Sequence, residues 1–341
     1  MTGEDARGTD RPVVETVLQW LREGGRLALF TVLRTWGSSP RPPGSLLAIR
    51  EDGRLVGSVS GGCVEDDLRT RMLDGRLPGT QPHTRRYGED GEEAARFGLP
   101  CGGTLELLVE PLAPGQEHGL ETVSAAMEAG RCARRTVRMA SGAVEVDPEP
   151  RADPALALEA ETVGKLFGPR WRLMIIGAGQ LGGQLADMAG RLDYGVTVCE
   201  PRREYAERWQ QAGSGIFLDT RMPDDAVAAW RPDARSAVVA TTHDPKLDDL
   251  ALLEALSTSA FYVGALGSKR NNDRRRERLA GLGLDRSAVD RLRGPMGLPI
   301  GSRTPPEIAV SVMAEVTAIR NDRDHRAAAP PTASGAGYPV P

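Results

Sequence analysis

The stretch Trp171-Arg-Leu-Met-Ile-Ile-Gly-Ala-Gly-Gln-Leu-Gly-Gly183 decides how the second half of this chain folds. Four apolar residues, Leu173 to Ile176, run directly into Gly177-x-Gly179-x-x-Gly182. An apolar strand ending in glycines at this spacing turns tightly into a helix. It leaves backbone N–H groups open at the helix start, where a phosphate or pyrophosphate fits. A second apolar run, Val196 to Cys199, follows a helix-length segment and ends in Glu200. That acid falls close to the spacing of about 20 residues at which a carboxylate meets a ribose 2′-hydroxyl. Gly177, Gly179, Gly182 and Glu200 are therefore candidate ligands of a phosphorylated, nucleotide-like tail. The alternative is a glycine turn used only for helix–strand packing.

Around this stretch the pattern alternates strand and helix, with strands expected at 172–176, 195–199, 215–218, 236–240 and 260–264. A parallel, Rossmann-like sheet covered on both faces is the natural solution. Thr304-Pro-Pro-Glu307 opens a last helix with a capping box and a proline in the first turn, and that helix is expected to run to about Arg320.

The first half reads differently. A short amphipathic helix is expected at 13–23, strands at 27–33, 45–49, 55–59, 84–87 and 104–109, and helices at 64–73 and 113–131. Residues 137–146 are weakly strand-like. The fold class is thus α/β overall, with an N-terminal mixed α+β domain at 12–147 and a Rossmann-like domain at 171–322. Between them, 148–170 is expected to be a linker around the acidic, proline-rich Pro148 to Pro154, and 323–341 reads as a disordered tail.

Composition narrows the function classes. The net charge of −4 and the lack of a basic block argue against nucleic acid. No apolar run reaches the roughly 18 residues of a membrane span. The polar, acidic N-terminus does not read as a signal peptide, so the cytoplasm is the expected compartment. Four scattered cysteines, Cys63, Cys101, Cys132 and Cys199, form no C-x-x-C pair, which argues against a disulfide framework or a zinc site.

Ligands of open α/β sheets gather at the carboxyl ends of the strands. One expected strand end carries Thr241-Thr-His-Asp-Pro-Lys-Leu-Asp-Asp249, where His243 beside Asp244 could be held in one tautomer as a base or donor, with Lys246 nearby. The alternative is that His243 and Asp244 cap the following helix. Another carries Gly267-Ser268-Lys269-Arg270, whose amides, hydroxyl and two cations suit an oxyanion. Its alternative is a solvated charge run continuing through Arg274, Arg275 and Arg276.

The first half has its own cluster. Trp36-Gly-Ser-Ser-Pro-Arg-Pro-Pro-Gly44 is a stiff loop carrying Arg41. Ser60-Gly-Gly-Cys63 meets a helix start, where the dipole favours a thiolate, while Glu65, Asp66 and Asp67 in the first turn oppose it. Cys101-Gly-Gly103 is a second cysteine flanked by glycines. Glycines leave a thiol accessible to a bulky partner. The alternative is that both are small buried residues. Cys132 and Cys199 lack such neighbours and read as core.

Taken in order, Gly37-Ser-Ser-Pro-Arg-Pro-Pro-Gly44, Gly57-Ser-Val-Ser-Gly-Gly-Cys-Val-Glu65 and Pro100-Cys-Gly-Gly103 resemble the N-terminal domain of the xanthine dehydrogenase accessory (XdhC/CoxI) family. The 241–249 and 264–270 runs, with Gly297-Leu-Pro-Ile-Gly-Ser-Arg-Thr-Pro-Pro-Glu-Ile-Ala309, resemble its C-terminal Rossmann domain. The resemblance spans about residue 15 to 320.

It implies a chaperone that binds molybdenum cofactor, as molybdopterin or its dinucleotide form. Such a chaperone protects the cofactor during sulfuration by a cysteine desulfurase. It then passes it to an apo-molybdoenzyme of the xanthine dehydrogenase or carbon-monoxide dehydrogenase type. The family's two motif cysteines correspond to Cys63 and Cys101, which become candidate contacts of the molybdenum end. Soft metals and sulfur favour thiolate ligands over oxygen. The resemblance leaves open whether NAD(P) binds. It implies a non-catalytic maturation factor, and dimerisation through exposed strands or helices is compatible with it. The competing readings are an NAD(P)-dependent oxidoreductase, in which Arg202 and Arg203 would take a 2′-phosphate, and an interaction scaffold without a small ligand.

Overall fold

The computed structural model describes residues 10–36, 41–77, 79–88, 104–148, 150, 154–211 and 216–322. The chain divides into two compact units, one comprising residues 1–171 with 190–195 and the other 172–189 with 196–341. The expected tail at 323–341 lies outside the described residues.

In the first unit, α1 (Asp10–Arg22) carries an acid in its first turn and a base in its last, complementing the helix dipole. Next come β1 (Leu27–Trp36), β2 (Leu46–Arg50), β3 (Leu55–Gly57), α2 (Cys63–Leu73), β4 (His83–Tyr87), β5 (Thr104–Leu112) and α3 (His118–Glu128). Five strands form a sheet of order β3-β2-β1-β5-β4. The sheet pairs antiparallel throughout. Alternation along β1 sorts its side chains by face. Leu27 and Leu29 pack with Val13, Val17 and Leu21 of α1 and Leu120 and Val123 of α3. Ala28, Phe30 and Val32 pack with Val64 and Leu68 of α2. The central strand is thus apolar along its buried length apart from Thr31, because helices cover both sides.

Two expectations change beyond α3. The weakly strand-like stretch 137–146 is a hairpin of β6 (Ala133–Arg138) and β7 (Val144–Asp147). Its turn contains Gly142 at φ 71°. The segment 148–170, expected as a linker, contributes β8 (Leu156–Leu158) and β9 (Thr162–Phe167) to a second sheet of order β7-β6-β9-β8. Phe167 at the end of β9 joins the α1 core. That burial is the physical reason the segment is ordered structure rather than a tether.

The second unit runs β10 (Trp171–Ile176), α4 (Gln180–Arg191), β11 (Tyr194–Cys199), α5 (Arg203–Gln211), β12 (Phe217–Asp219), α6 (Pro223–Trp230) and β13 (Ser236–Ala240). It continues with α7 (Pro245–Leu256), β14 (Tyr262–Ala265), α8 (Lys269–Gly281), α9 (Arg286–Asp290), β15 (Leu292–Arg293) and α10 (Pro305–Arg320). Its six-stranded parallel sheet has the order β12-β11-β10-β13-β14-β15. Counted within the unit this is 3-2-1-4-5-6, the dinucleotide-binding order, and it puts the topological switch point between the ends of β10 and β13. Val238 and Ala240 of β13 pack with Ala251 and Leu252 of α7 on one face. Tyr262 of β14 donates a 2.7 Å hydrogen bond to the buried Glu315 of α10.

Candidate functional sites in the two units

At the switch point each glycine of the 177–182 turn has its own task. Gly177 holds φ 113°, in the left-handed region that glycine enters without strain. A side chain there would meet Thr241 Oγ1 at 2.9 Å. A Cβ on Gly182 would lie 2.1 Å from the carbonyl oxygen of Gly177, so α4 packs onto the strand end only with hydrogen at that position. Gly179 faces open space, with nothing within 4 Å of where its Cβ would be. The first N–H groups of α4 lack intrahelical acceptors and begin at this open glycine. The surface this creates favours an anion.

Glu200 sits at the end of β11 as expected, and it is fully buried. Its carboxylate is engaged by donors of the protein itself. One oxygen accepts from Arg202 N at 3.1 Å and Arg202 Nε at 2.7 Å. The other accepts from Ala178 N at 3.0 Å and the Arg202 terminal nitrogen at 2.8 Å. Burial opposes the charge, but these donors outweigh it and hold the carboxyl below its ordinary range. Glu200 therefore braces the glycine turn through Ala178. Arg202 lies over the Tyr205 ring at 4.2 Å. Arg203 is exposed and paired with Glu207.

Across the switch point, Asp244 is the cap of α7 and accepts from Lys246 N at 2.9 Å. Its carboxylate serves the helix, so the helix-cap alternative describes Asp244 better than an imidazole partner does. His243 is exposed at φ 63°. Gly267 holds φ 127°. Ser268 caps α8 by accepting from Asn271 N. Lys269 is exposed and pairs with Asp273 at 2.7 Å, while Arg270 is exposed.

The charge run behind them splits. Arg274 is exposed, but Arg275 is buried and reaches Asp248 at 3.0 Å, Asp249 at 3.2 Å, Asn272 at 2.8 Å and the Leu266 carbonyl at 3.0 Å. Asp248 in turn accepts from the Thr242 hydroxyl at 2.7 Å. Asn272, fully buried, donates to the carbonyls of Gly267 and Ser268. One guanidinium therefore ties together the loops that follow β13 and β14. This bracing is invisible in a plain reading of charges. The spacing of Asn272, Arg275 and Leu279 along one helix face is the signal that marks it.

In the first unit, Cys63 is the first residue of α2 and its side chain is exposed. The loop before it closes around Glu65. One Glu65 oxygen accepts from Ser58 Oγ at 2.7 Å, Val59 N at 2.9 Å, Ser60 N at 2.8 Å and Gly61 N at 2.9 Å. The other accepts from Gly62 N at 2.9 Å and from the Ser60 hydroxyl. Burial opposes this charge, yet the donors hold the carboxyl at about 2. Arg41 Nε donates to Ser58 Oγ at 3.3 Å, so two of the sequence motifs meet here. Cβ atoms on Gly61 or Gly62 would meet nothing within 4 Å. Among the described residues the Cys63 side chain is exposed beside these two glycines.

Cys101 and residues 37–40 lie outside the described residues. Cys199 is buried, and burial pushes its thiol up to about 12. Cys132 donates to the Pro169 carbonyl at 3.3 Å. Among the described residues no group of three His, Cys, Asp or Glu side chains could hold a metal ion. Among them, too, no helix is long and apolar enough to cross a membrane.

A glycine-turn Rossmann unit joined to a unit that presents a cysteine at a helix start defines the class, and the sequence comparisons give it a family. Residues 173–316 match the XdhC Rossmann domain and residues 20–88 match the XdhC and CoxI family. The chain belongs to that family. It is 28% identical over 328 residues to the molybdenum cofactor insertion chaperone PaoD of Escherichia coli, covering 94% of this chain and 92% of the relative. It is 26% identical to a probable xanthine dehydrogenase subunit of Bacillus subtilis, covering 88% of this chain and 95% of that relative. A crystal structure described as a xanthine dehydrogenase from Bacillus halodurans shares the fold, with a TM-score of 0.69 at 24% identity, covering 94% of this chain and 98% of that one.

Proposed function

We propose that this protein carries molybdenum cofactor and inserts it into an apo-molybdoenzyme of the xanthine dehydrogenase type. The observation that carries the reading is the exposed Cys63 at the start of α2, on a loop locked in place and open on its glycine side. The relationship to an insertion chaperone supports it. A thiolate is the ligand a molybdenum–sulfur centre prefers, and a helix start favours that anion. Cys101 is assigned the same role from its motif. In the second unit Gly177, Gly179 and Gly182, with Gly267 to Arg270 beyond β14, are assigned to the phosphorylated tail of molybdopterin or its dinucleotide form.

The finer steps belong to the same reading. The cofactor is held while a cysteine desulfurase sulfurates it. Recipients include carbon-monoxide dehydrogenase-type enzymes. The protein acts in the cytoplasm as a maturation factor without turnover of its own, and homodimers form in solution. To test the core of this, the pterin released from freshly purified protein is identified by fluorescence and mass, for wild type and for Cys63→Ala. Cofactor lost in the variant supports the reading; equal retention removes the thiol role.

A second ligand follows from one observation, the 3-2-1-4-5-6 strand order with its three-glycine turn. That crevice suits NAD(P) as well as a pterin dinucleotide. The engagement of Glu200 by Arg202 speaks against a free ribose acceptor at the usual place. Titration with NAD and NADP, followed by a substrate screen, separates a binding module from an oxidoreductase.

A further inference from the structure

We propose that Glu65 is the positioning residue that presents Cys63 and Arg41, with its carboxylate acting as the template on which residues 58–62 fold. This rests on the reading of Cys63 as a cofactor-facing thiol.

Residues 58–62 supply four backbone N–H groups and two hydroxyls, and all six converge on the two oxygens of Glu65. A glycine-rich loop at a helix start ordinarily turns such amides toward an external anion. Here an internal carboxylate takes them, so the loop is shaped before any guest arrives. The amide of Gly62, the residue just before Cys63, is fixed by Glu65 at 2.9 Å. That fixes the direction in which the thiol leaves the backbone. Ser58 extends the arrangement, giving its proton to Glu65 and accepting from Arg41. One carboxylate therefore sets the attachment of a soft sulfur and of a cation that come from separate motifs. Such a loop loses less conformational freedom when it binds, which raises affinity without adding a contact.

Glu65→Gln separates this from ordinary helix capping. The neutral amide keeps one acceptor oxygen but turns a second set of donors toward the loop amides, so the six-donor arrangement cannot be kept. It also removes the negative charge on which the donors of residues 58–62 converge. Asp66 and Asp67 on α2 and Arg41 on the facing loop remain in both proteins.

The readout is amide hydrogen exchange at Val59 to Gly62 in the full chain, with the interior amides of α2 as internal control. Exchange at those amides is expected to quicken about tenfold or more in Glu65→Gln, with the interior of α2 still protected and cofactor retention reduced. Loss of protection confined to this loop is not what global destabilisation produces. Unchanged exchange at these amides in a natively folded variant overturns the proposal. If the variant does not fold, hydrogen exchange on the wild type decides. The amides of Val59 to Gly62 are expected to be protected in spite of the exposure of Gly61 and Gly62, and exchange at free-peptide rates overturns it. Should Cys63→Ala keep its cofactor, the functional reading fails, while exchange at the loop amides still tests Glu65 by itself.

Discussion

Arg275 of α8 reaches Asp248 of α7 at 3.0 Å, and both side chains are buried. Burial holds the Asp248 carboxyl above its ordinary range, with Thr242 and Arg275 only partly offsetting it. Removing the cation alone leaves Asp248 with an uncompensated buried charge. Arg275→Met is expected to cost about 3–5 kcal/mol. Adding Asp248→Asn should return a large part of that loss. Urea unfolding of the single and double variants checks it, and additive losses would show that the pair is not coupled.

Glycines 179 and 182 should separate ligand effects from packing effects. Gly182→Ala puts a methyl group 2.1 Å from a backbone oxygen, which nothing flexible can relieve. A loss of about 2–4 kcal/mol is expected. Gly179→Ala meets open space and should leave the unfolding midpoint nearly unchanged. Cofactor retention in Gly179→Ala then reports on the anion site directly, and a retained load would remove Gly179 from it.

The Glu65 carboxyl lies at about 2, below its ordinary value of 4.5. A group lowered on folding stabilises the native state above its unfolded value, and that contribution is lost as pH falls through the folded one. Wild type and Glu65→Ala should therefore differ most in urea midpoint above pH 5, with the gap closing as the pH falls from about 4.5 toward about 2. A gap independent of pH would show that the charged form of Glu65 adds nothing to the fold.

Asp244 and His243 are adjacent but should behave differently. Asp244→Ala removes the cap of α7 and is expected to cost about 1 kcal/mol. His243→Gly relieves a positive φ of 63° and should be neutral or stabilising by a few tenths of a kcal/mol. Thermal denaturation of the two variants distinguishes this from a coupled acid–base pair, in which both changes would act alike on ligand binding and neither on stability.

Much of this architecture was readable from residue order. The strand–glycine–helix signal at 171–183 marked the switch point because its chemistry is local: a tight turn, an open amide surface and a close helix contact each need a glycine at a fixed place. What stayed hidden depended on partners distant in sequence. Leu156–Leu158 and Thr162–Phe167 are short and lie beside prolines, and they become strands only because Thr162–Phe167 pairs with β6 and Leu156–Leu158 with Thr162–Phe167 in turn. Arg275 sits in a run of arginines that composition reads as solvated, and its burial follows from carboxylates 26 and 27 residues away. Glu65 could be read as a first-turn acid, but not as the acceptor for a whole loop. Glu200 stood at the right spacing, yet the guanidinium two residues on, free to fold back, took its oxygens.

The sheet β7-β6-β9-β8 bears on where the polypeptide can be cut. A fragment ending at residue 147 would carry β6 without β9 and leave its edge unpaired, an invitation to aggregation. It would also remove Phe167 from the hydrophobic cluster around α1. Isolating the thiol-bearing half for binding work therefore means retaining the polypeptide through residue 167, well past the proline-rich stretch that looks like the obvious place to divide it.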